Sequence, residues 1–393
     1  MKSERSSSAL RELPPAKVFV VGLRKHGTSE VIAALASIDR PEGLVRFDPR
    51  VVEAPPRGRD GMISLINDFG PTEGSARLRS IETQKRRLTL YECVNGVQAL
   101  MMAGTRRCDA VLWVHSARDD VELDPIAQML DGAVFLSAKR ALVFITDAHE
   151  ASPERLDAVE RDARELLSAA GFDADECPVV RGTGPVEPNA DARWKSGAQA
   201  LREALDEAVP YVELDPTFAM AVDDVFSIRG RGTVVTGQVL RGAVRLGDTI
   251  DIVRPASRAT VKVTGIEISR RLVDIARPRD NIGILLDPCE RDDVARGDLL
   301  VTPGEGLRAT SLRLRGYAWR APAQPLPIGV PTRIVNLEPL FTIVDVDRAI
   351  VATSAFSMQV QCDAPRPLLL DQAIWLRDNE SPFAVAFIDA VLD

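Results

Sequence analysis

FAMAVDDVFSIRGRGTVVTGQVLRGAVRLGDTIDIV, residues Phe218–Val253, decides the fold class. Its apolar residues come in short β-rich runs, Ala219–Ile228, Gly232–Val239 and Thr249–Val253, broken by Gly and Asp. Turn residues at such short intervals leave no room for a helical stripe, so this is all-β material. The pattern continues downstream with Thr260–Glu267 and Asn281–Leu286. A second all-β stretch runs from about Leu307 to Asp393, with a Pro-rich interval at 322–331. Two successive barrels fit this spacing better than one sandwich.

Upstream of Pro216 the period changes. Trp194, Ala198, Leu201, Leu205 and Val209 recur three or four residues apart, the stripe of an amphipathic helix that stops at Pro210. Strand-like runs at Lys17–Val21, Leu88–Cys93, Ala110–His115, Ala141–Thr146 and Pro178–Arg181 alternate with helical stretches at Thr28–Ser37, Gly96–Gly104 and from Pro153 to Gly171. Ser152-Pro153 is an N-cap followed by Pro at the first helical position. Alternation of this kind predicts a parallel α/β domain. The stretch 39–80 has no sustained period and reads as a long loop with one short helix. The organisation expected is a flexible tail over 1–15, an α/β domain over 16–212, and β-barrels over 213–304 and 305–393.

Composition narrows the function classes. The 393 residues are 45% hydrophobic and 27% charged, the make-up of a globular chain. A formal charge of −8 excludes a wholesale basic coat for nucleic acid but leaves room for a local basic groove. Only 7 of the 49 cations are Lys, a bias of composition. The five Cys are far apart with no CxxC, which excludes a zinc ribbon and suits a reducing cytoplasm. The start, MKSERSSSALRELPP, has no apolar h-region, and no run of 18 apolar residues follows, so neither export nor a membrane is expected.

Gly22-Leu-Arg-Lys-His-Gly27-Thr28-Ser29 follows a strand and precedes a helix. The spacing is that of GxxxxGK[ST], a loop whose backbone N–H groups cradle phosphates. Thr28 stands where the Lys belongs, Lys25 lies three residues early, and Ser29 keeps the hydroxyl that would bind Mg²⁺. Taken alone, the loop reads equally well as a Gly-containing turn with no ligand.

Phe218–Val253, together with Thr264–Pro303 (GIEISRRLVDIARPRDNIGILL and RGDLLVTPG), closely resembles the second domain of elongation factor Tu, of the translational GTPase family. The resemblance implies a P-loop-type, three-layer G-like domain followed by two all-β barrels. It lets the first domain be aligned with the family's nucleotide motifs. GLRKHGTS, with Gly22, Lys25, Gly27, Thr28 and Ser29, stands for the phosphate loop. Glu92-Cys93-Val94-Asn95-Gly96 stands for the magnesium motif and lacks the water-positioning His, so no catalytic residue is assigned. Thr146, Asp147 and His149 replace the guanine-reading Asn, Lys and Asp, and Thr183 follows Val180-Arg181-Gly182 at the closing motif. Losing the Lys removes a charge-assisted phosphate contact of about 1.5–3 kcal/mol. The resemblance thus implies a degenerate G domain, with GTP and Mg²⁺ as weakly held ligands.

On the second domain the family's acceptor-end contacts match Asp224, Phe226, Thr236, Glu267, Arg270 and Asn281, with Arg296 toward the 5′ end of tRNA. A competing reading keeps Asp224, Thr236 and Asn281 as turn caps and Phe226 as core filling. Glu267 and Arg270 are three apart in a strand, so a strand end or bulge must intervene for both to reach one ligand. The third domain resembles the family weakly, in its last strands. Three functions follow as expectations. The first is a cytoplasmic translation-factor paralogue that binds tRNA or the ribosome with a weakened or lost GTP switch. The second is a GTP-hydrolysing factor that delivers aminoacyl-tRNA through a non-standard site. The third is a protein-interaction scaffold. Neither DNA nor a membrane is expected as a partner.

Overall fold

A computed structural model describes residues 16–23, 26–37, 77–83, 87–93, 96–101, 108–120, 123–182, 192–210, 217–228, 232–268, 271–277, 280–332, 341–370, 373–378 and 382–392. The tail 1–15, most of the stretch 39–80, and Lys25, Thr183 and Arg270 lie outside the described residues.

The N-terminal sheet is built from β1 (Ala16–Val21), β2 (Arg77–Glu82), β3 (Arg87–Cys93), β4 (Ala110–Ser116), β5 (Ala141–Thr146) and β6 (Val179–Arg181), in the order β2-β3-β1-β4-β5-β6. From β3 onward the strands are parallel, and β2 is antiparallel to β3. The central strands are apolar along most of their length because both faces are covered, with polar residues only near their ends, at Lys17, His115, Ser116 and Thr146. Successive residues of β1 alternate between two cores. Val18 and Val20 pack with α1 (Thr28–Ser37) and the last helix of the unit, while Phe19 and Val21 face α2 (Val97–Met101), α3 (Leu123–Phe135) and α4 (Pro153–Ala169). That last helix, α5 (Ala192–Ala208), buries Ala198, Leu201 and Leu205 as its spacing predicts. Residues 77–80 open β2, where the sequence reads as a loop. R-L-R-S-I-E has too few apolar residues to show a period, and its pairing with β3 supplies the order.

The second sheet comprises β7 (Ala219–Ala221), β8 (Asp224–Ile228), β9 (Gly232–Arg241), β11 (Thr249–Val253), β12 (Arg258–Ile268), β13 (Arg271–Leu272), β15 (Asn281–Asp287) and β16 (Leu299–Val301), with β10 (Val244–Arg245) and β14 (Ile275–Ala276) as a separate pair. It closes: the path β11-β16-β7-β9-β15-β12 returns to β11 through a β11–β12 pairing. Alternation sets the interior. Val235, Val239, Ile282, Ile284, Leu286 and Ile266 point into the ring, and their neighbours point out. Asp251 is an exception among the buried residues of β11. Its carboxylate accepts from Arg258 at 2.8 Å, Thr260 at 2.7 Å and the Gly304 N–H at 3.0 Å.

The third sheet, β17 (Leu307–Ala318), β18 (Pro331–Thr332), β19 (Phe341–Val346), β20 (Ser354–Leu368), β21 (Ala373–Arg377) and β22 (Pro382–Val391), runs in the order β18-β19-β20-β17-β22-β21. It is antiparallel and, among the described residues, has no closing pair. A five-stranded parallel sheet followed by two antiparallel, barrel-like sheets fits a G domain plus β domains. Among the described residues no helix is long and apolar enough to cross a membrane.

Candidate functional site

Two places gather the residues singled out by sequence. The first lies beyond the carboxyl end of β1, where connections leave the sheet in opposite directions, the usual position for a ligand crevice in an α/β sheet. Gly22 is required there by crowding, since a Cβ would come within 2.6 Å of the Val114 carbonyl oxygen. The His26 N–H donates to the Leu23 carbonyl at 2.9 Å, so one amide that a phosphate cradle would offer is already engaged. Gly27 has φ 77°, and α1 begins directly after it. Ser29 Oγ donates to the Glu92 carboxylate, which stands near the end of β3. The structure therefore brings together the two groups assigned separately to metal binding. A hydroxyl and a carboxylate are the hard oxygen donors that suit Mg²⁺.

Thr28 fits a nucleotide site less well. It is 1% exposed, its hydroxyl has no hydrogen-bond partner, and that oxygen lies 3.0 Å from where a Gly22 Cβ would sit. The side chain is thus tucked beneath the loop. An unpaired buried hydroxyl costs about 1–3 kcal/mol, so Thr28→Val is expected to raise stability by about 1 kcal/mol. The readout is a higher urea midpoint at unchanged m-value. A fall in the midpoint would reveal a partner for the hydroxyl.

At the ends of β4 and β5 several polar groups pair with one another, while His115 Nδ1 is buried without a partner among the described residues. Thr146 Oγ1 lies 3.3 Å from the carbonyls of both His26 and His115, tying the loop to both strands. Asp147, at φ 57°, accepts from Ser116 Oγ at 2.8 Å and lies 3.7 Å from Arg118, which also pairs with Glu150. A carboxylate so engaged does not stand open to read the donors of a purine edge. His149 is exposed beside Glu150, at 3.6 Å. His26 and Asp119 form a contact of 3.5 Å that sequence reading missed, and the His26 ring meets His115 edge-on, with centroids 4.6 Å apart. His115 donates from Nε2 to the Asp119 carbonyl at 3.1 Å. Burial, with His26 alongside, lowers its pKa to about 4, so the imidazole is neutral at pH 7. The positions of Thr146, Asp147 and His149 are legible in sequence; the pairing of Thr146 and Asp147 with their neighbours is not.

The second place is the outer face of the closed ring. Asp224 pairs with Thr236, Thr236 with Gly283, Gly283 with Glu267, and Glu267 with Leu272. Directly opposed residues share a face, so these five form one row across β8, β9, β15, β12 and β13. Asn281, opposite Gln238, and Phe226 each lie two positions along their strands and so share that face. Residues 232–301 match elongation factor Tu domain 2. The matched segment contains Thr236, Glu267, Asn281 and Arg296, with Asp224 and Phe226 just before it. The matched segment spans most of this closed ring, so the ring is similar to that domain, and the match suggests a translation-factor-like protein.

The competing reading of Phe226 as core filling fails on its geometry. Phe226 is 50% exposed, so it fills no core. Thr236 lies within β9, where its hydroxyl is 3.4 Å from the Asp224 carbonyl, while Asp224 and Asn281 are the first residues of β8 and β15. Alternation explains the exposure of Phe226, because the inward positions of β8 and β9 are Val225 and Val235. The strand end required before position 270 exists: β12 ends at Ile268, and Arg271 pairs back onto it. Arg296 is exposed in a turn closed by Asp298, and burial raises the pKa of the Asp223 carboxyl, next to Asp224, with the Arg296 charge offsetting part of that rise. Leu272, 80% exposed at the far end of the row, was not singled out by sequence. Its signal was present, since Val273, the residue just after that short strand, takes the half-buried position.

Proposed function

We propose that the chain is a translation-factor-like protein that holds the acceptor end of tRNA, on its own or at the ribosome, against the outer face of the ring. Its G-like unit has a weakened or lost GTP switch. The observation that carries this reading is the exposed row of Asp224, Thr236, Gly283, Glu267 and Leu272, with Phe226 and Asn281 beside it. Phe226 supplies an apolar surface for a base. Glu267 and Asn281 supply groups for a ribose 2′-hydroxyl, which distinguishes RNA from DNA. With a net charge of −8, affinity must come from such local contacts more than from the overall field. The loop side supports a weakened switch through Thr28 and the engaged Asp147.

The test compares aminoacylated tRNA, deacylated tRNA and a DNA oligonucleotide of the same acceptor sequence at one fixed salt concentration. Aminoacylated tRNA is expected to bind most tightly and DNA least. A parallel titration with labelled GTP and ATP plus Mg²⁺ is expected to give weak binding with little preference between the bases. Equal or absent binding of all three nucleic acids would move weight to the scaffold reading. Submicromolar GTP binding with strong selectivity over ATP would favour the working GTPase.

A further inference from the structure

The connections that follow β1, β4 and β5 meet at His26, whose side chain is fully buried. Its carbonyl accepts from Thr146 Oγ1 at 3.3 Å, at the end of β5. Its ring stands edge-on to His115, with centroids 4.6 Å apart. Its Nε2 lies 3.5 Å from the Asp119 carboxylate, in the connection after β4. Arg155 of α4 holds that connection from outside. It donates to the Ala117 carbonyl at 3.0 Å and the Asp120 carboxylate at 2.8 Å, and it also reaches the Asp119 carbonyl. α1 follows His26 directly, opening at Thr28, and the Val31 N–H donates to the Gly27 carbonyl at 2.9 Å.

His115 is the group on which this knot turns. It continues Val111 and Trp113 on the face of β4 that α2, α3 and α4 cover. A carbonyl can only accept, so the 3.1 Å contact with the Asp119 carbonyl puts the proton of the neutral ring on Nε2. Nδ1 is then an acceptor, buried with no hydrogen-bond partner among the described residues. A second proton would have to go there, and it would find no acceptor. The charges around the ring add to that cost. His26 and Arg155 repel a cation, while Asp119 attracts one. Asp147 is turned to Ser116 and Arg118, and Asp120 to Arg155. Glu92 meets Ser29 on the other face of the sheet, alongside Val20. α2 carries no charge, and Asp124 at the start of α3 is exposed. Burial and His26 together outweigh Asp119, and the pKa falls from 6.5 to about 4.

We propose that His115 is the acid-sensitive catch of a latch that pins His26, and with it the start of α1, to the ends of β4 and β5. At neutral pH the uncharged ring holds the Asp119 carbonyl and the edge of His26, and the three connections stay together. In acid the charged ring is stable only in water. It leaves the site, the contacts of His26 with His115 and Asp119 go with it, and the strands beneath stay paired. The open form binds the proton that the closed form refuses, so closure weakens as pH falls from about 6.5 to about 4. One proton changes the opening equilibrium by up to about tenfold per pH unit. A segment held by side-chain contacts opens before a strand core does. The latch makes no use of the row on the ring, so it stands or falls independently of the RNA reading.

The experiment follows amide hydrogen exchange in the full chain between pH 7 and pH 4.5, with rates corrected for the intrinsic effect of pH. Protection of the His26 and Val31 amides is expected to fall by up to about tenfold per pH unit below pH 6.5. The Val143 amide in β5, bonded to the Pro178 carbonyl at 2.9 Å, is expected to keep its protection. The chain has three His, so single substitutions assign the ring signals of a labelled sample. The His115 ring is expected to carry its proton on Nε2 at neutral pH. His115→Gln keeps an N–H donor for the carbonyl and cannot titrate, and it should make protection at His26 and Val31 independent of pH in this window. If His115→Gln does not fold, His115→Phe, which keeps a flat uncharged ring, is read in the same way. Three results would overturn the proposal: flat protection at His26 and Val31 in the parent, an equal loss at Val143, or a pH dependence that survives in the variant. The last would make His26 the titrating group.

Discussion

Phe226→Ala is expected to weaken binding of aminoacylated tRNA by about 1–3 kcal/mol, the worth of one base stacked on an aromatic ring. That is roughly a five- to 150-fold rise in Kd. Because Phe226 is half exposed and its strand neighbour Val225 carries the core contact, stability should change by less than about 0.5 kcal/mol. Glu267→Gln keeps the shape of the row and removes its charge. If the carboxylate accepts a ribose hydroxyl, this change should cost less than Phe226→Ala and should narrow the gap between RNA and DNA. Fluorescence anisotropy with end-labelled tRNA measures both variants, and urea unfolding reports on the fold. Indifference of tRNA binding to Phe226→Ala and Glu267→Gln together, in a folded protein, would leave the row as an ordinary solvent face.

Asp251→Ala should produce the largest loss of stability. The side chain is 4% exposed and 2.8 Å from the Arg258 guanidinium, with Thr260 and the Gly304 amide as further donors. Removing one partner from a buried ion pair typically costs about 3–5 kcal/mol, because the remaining charge is left uncompensated. The pH dependence follows from the same contacts. Burial acts to raise the Asp251 carboxyl, but the Gly304 N–H, Arg258 and Thr260 outweigh it and hold the pKa below its usual 3.8. A carboxylate with a depressed folded-state pKa contributes stability that is complete above the unfolded value and is lost as pH falls through the folded one. Parent stability should therefore drop below about pH 4, and Asp251→Asn should flatten that part of the curve. Chemical unfolding from pH 7 to pH 3 measures both. A variant as stable as the parent would show that the network contributes nothing net.

Several elements were legible because one period ruled them. The alternation through Gly232–Val239 and Asn281–Leu286 separates core from surface, and it also placed Thr236 and Asn281 on one face, although their closeness needed the register. α3 escaped notice. Ile126, Met129, Leu130 and Ala133 have helical spacing, yet Gly132 and the short length blur the stripe. Phe226 shows where the sequence is ambiguous, because an aromatic residue in a strand suits either a core or a ligand surface, and only the phase against Val225 decides. Ser29 and Glu92 are 63 residues apart, and nothing local announces their hydrogen bond. Trp319 and Trp375 join a core that spans two units, which no single-strand pattern reveals.

Gly283 gives the row of the ring a different meaning. Its backbone is ordinary extended strand, and a Cβ there would meet Val234 at 3.5 Å and Thr236 at 4.0 Å, comfortable distances. Nothing in the packing requires a glycine. A β-branched residue would stiffen this central strand and gain on both neighbours. The sheet is weaker than it needs to be at the one point where Thr236 and Glu267 face each other across open ground, and the missing side chain is what keeps that ground open.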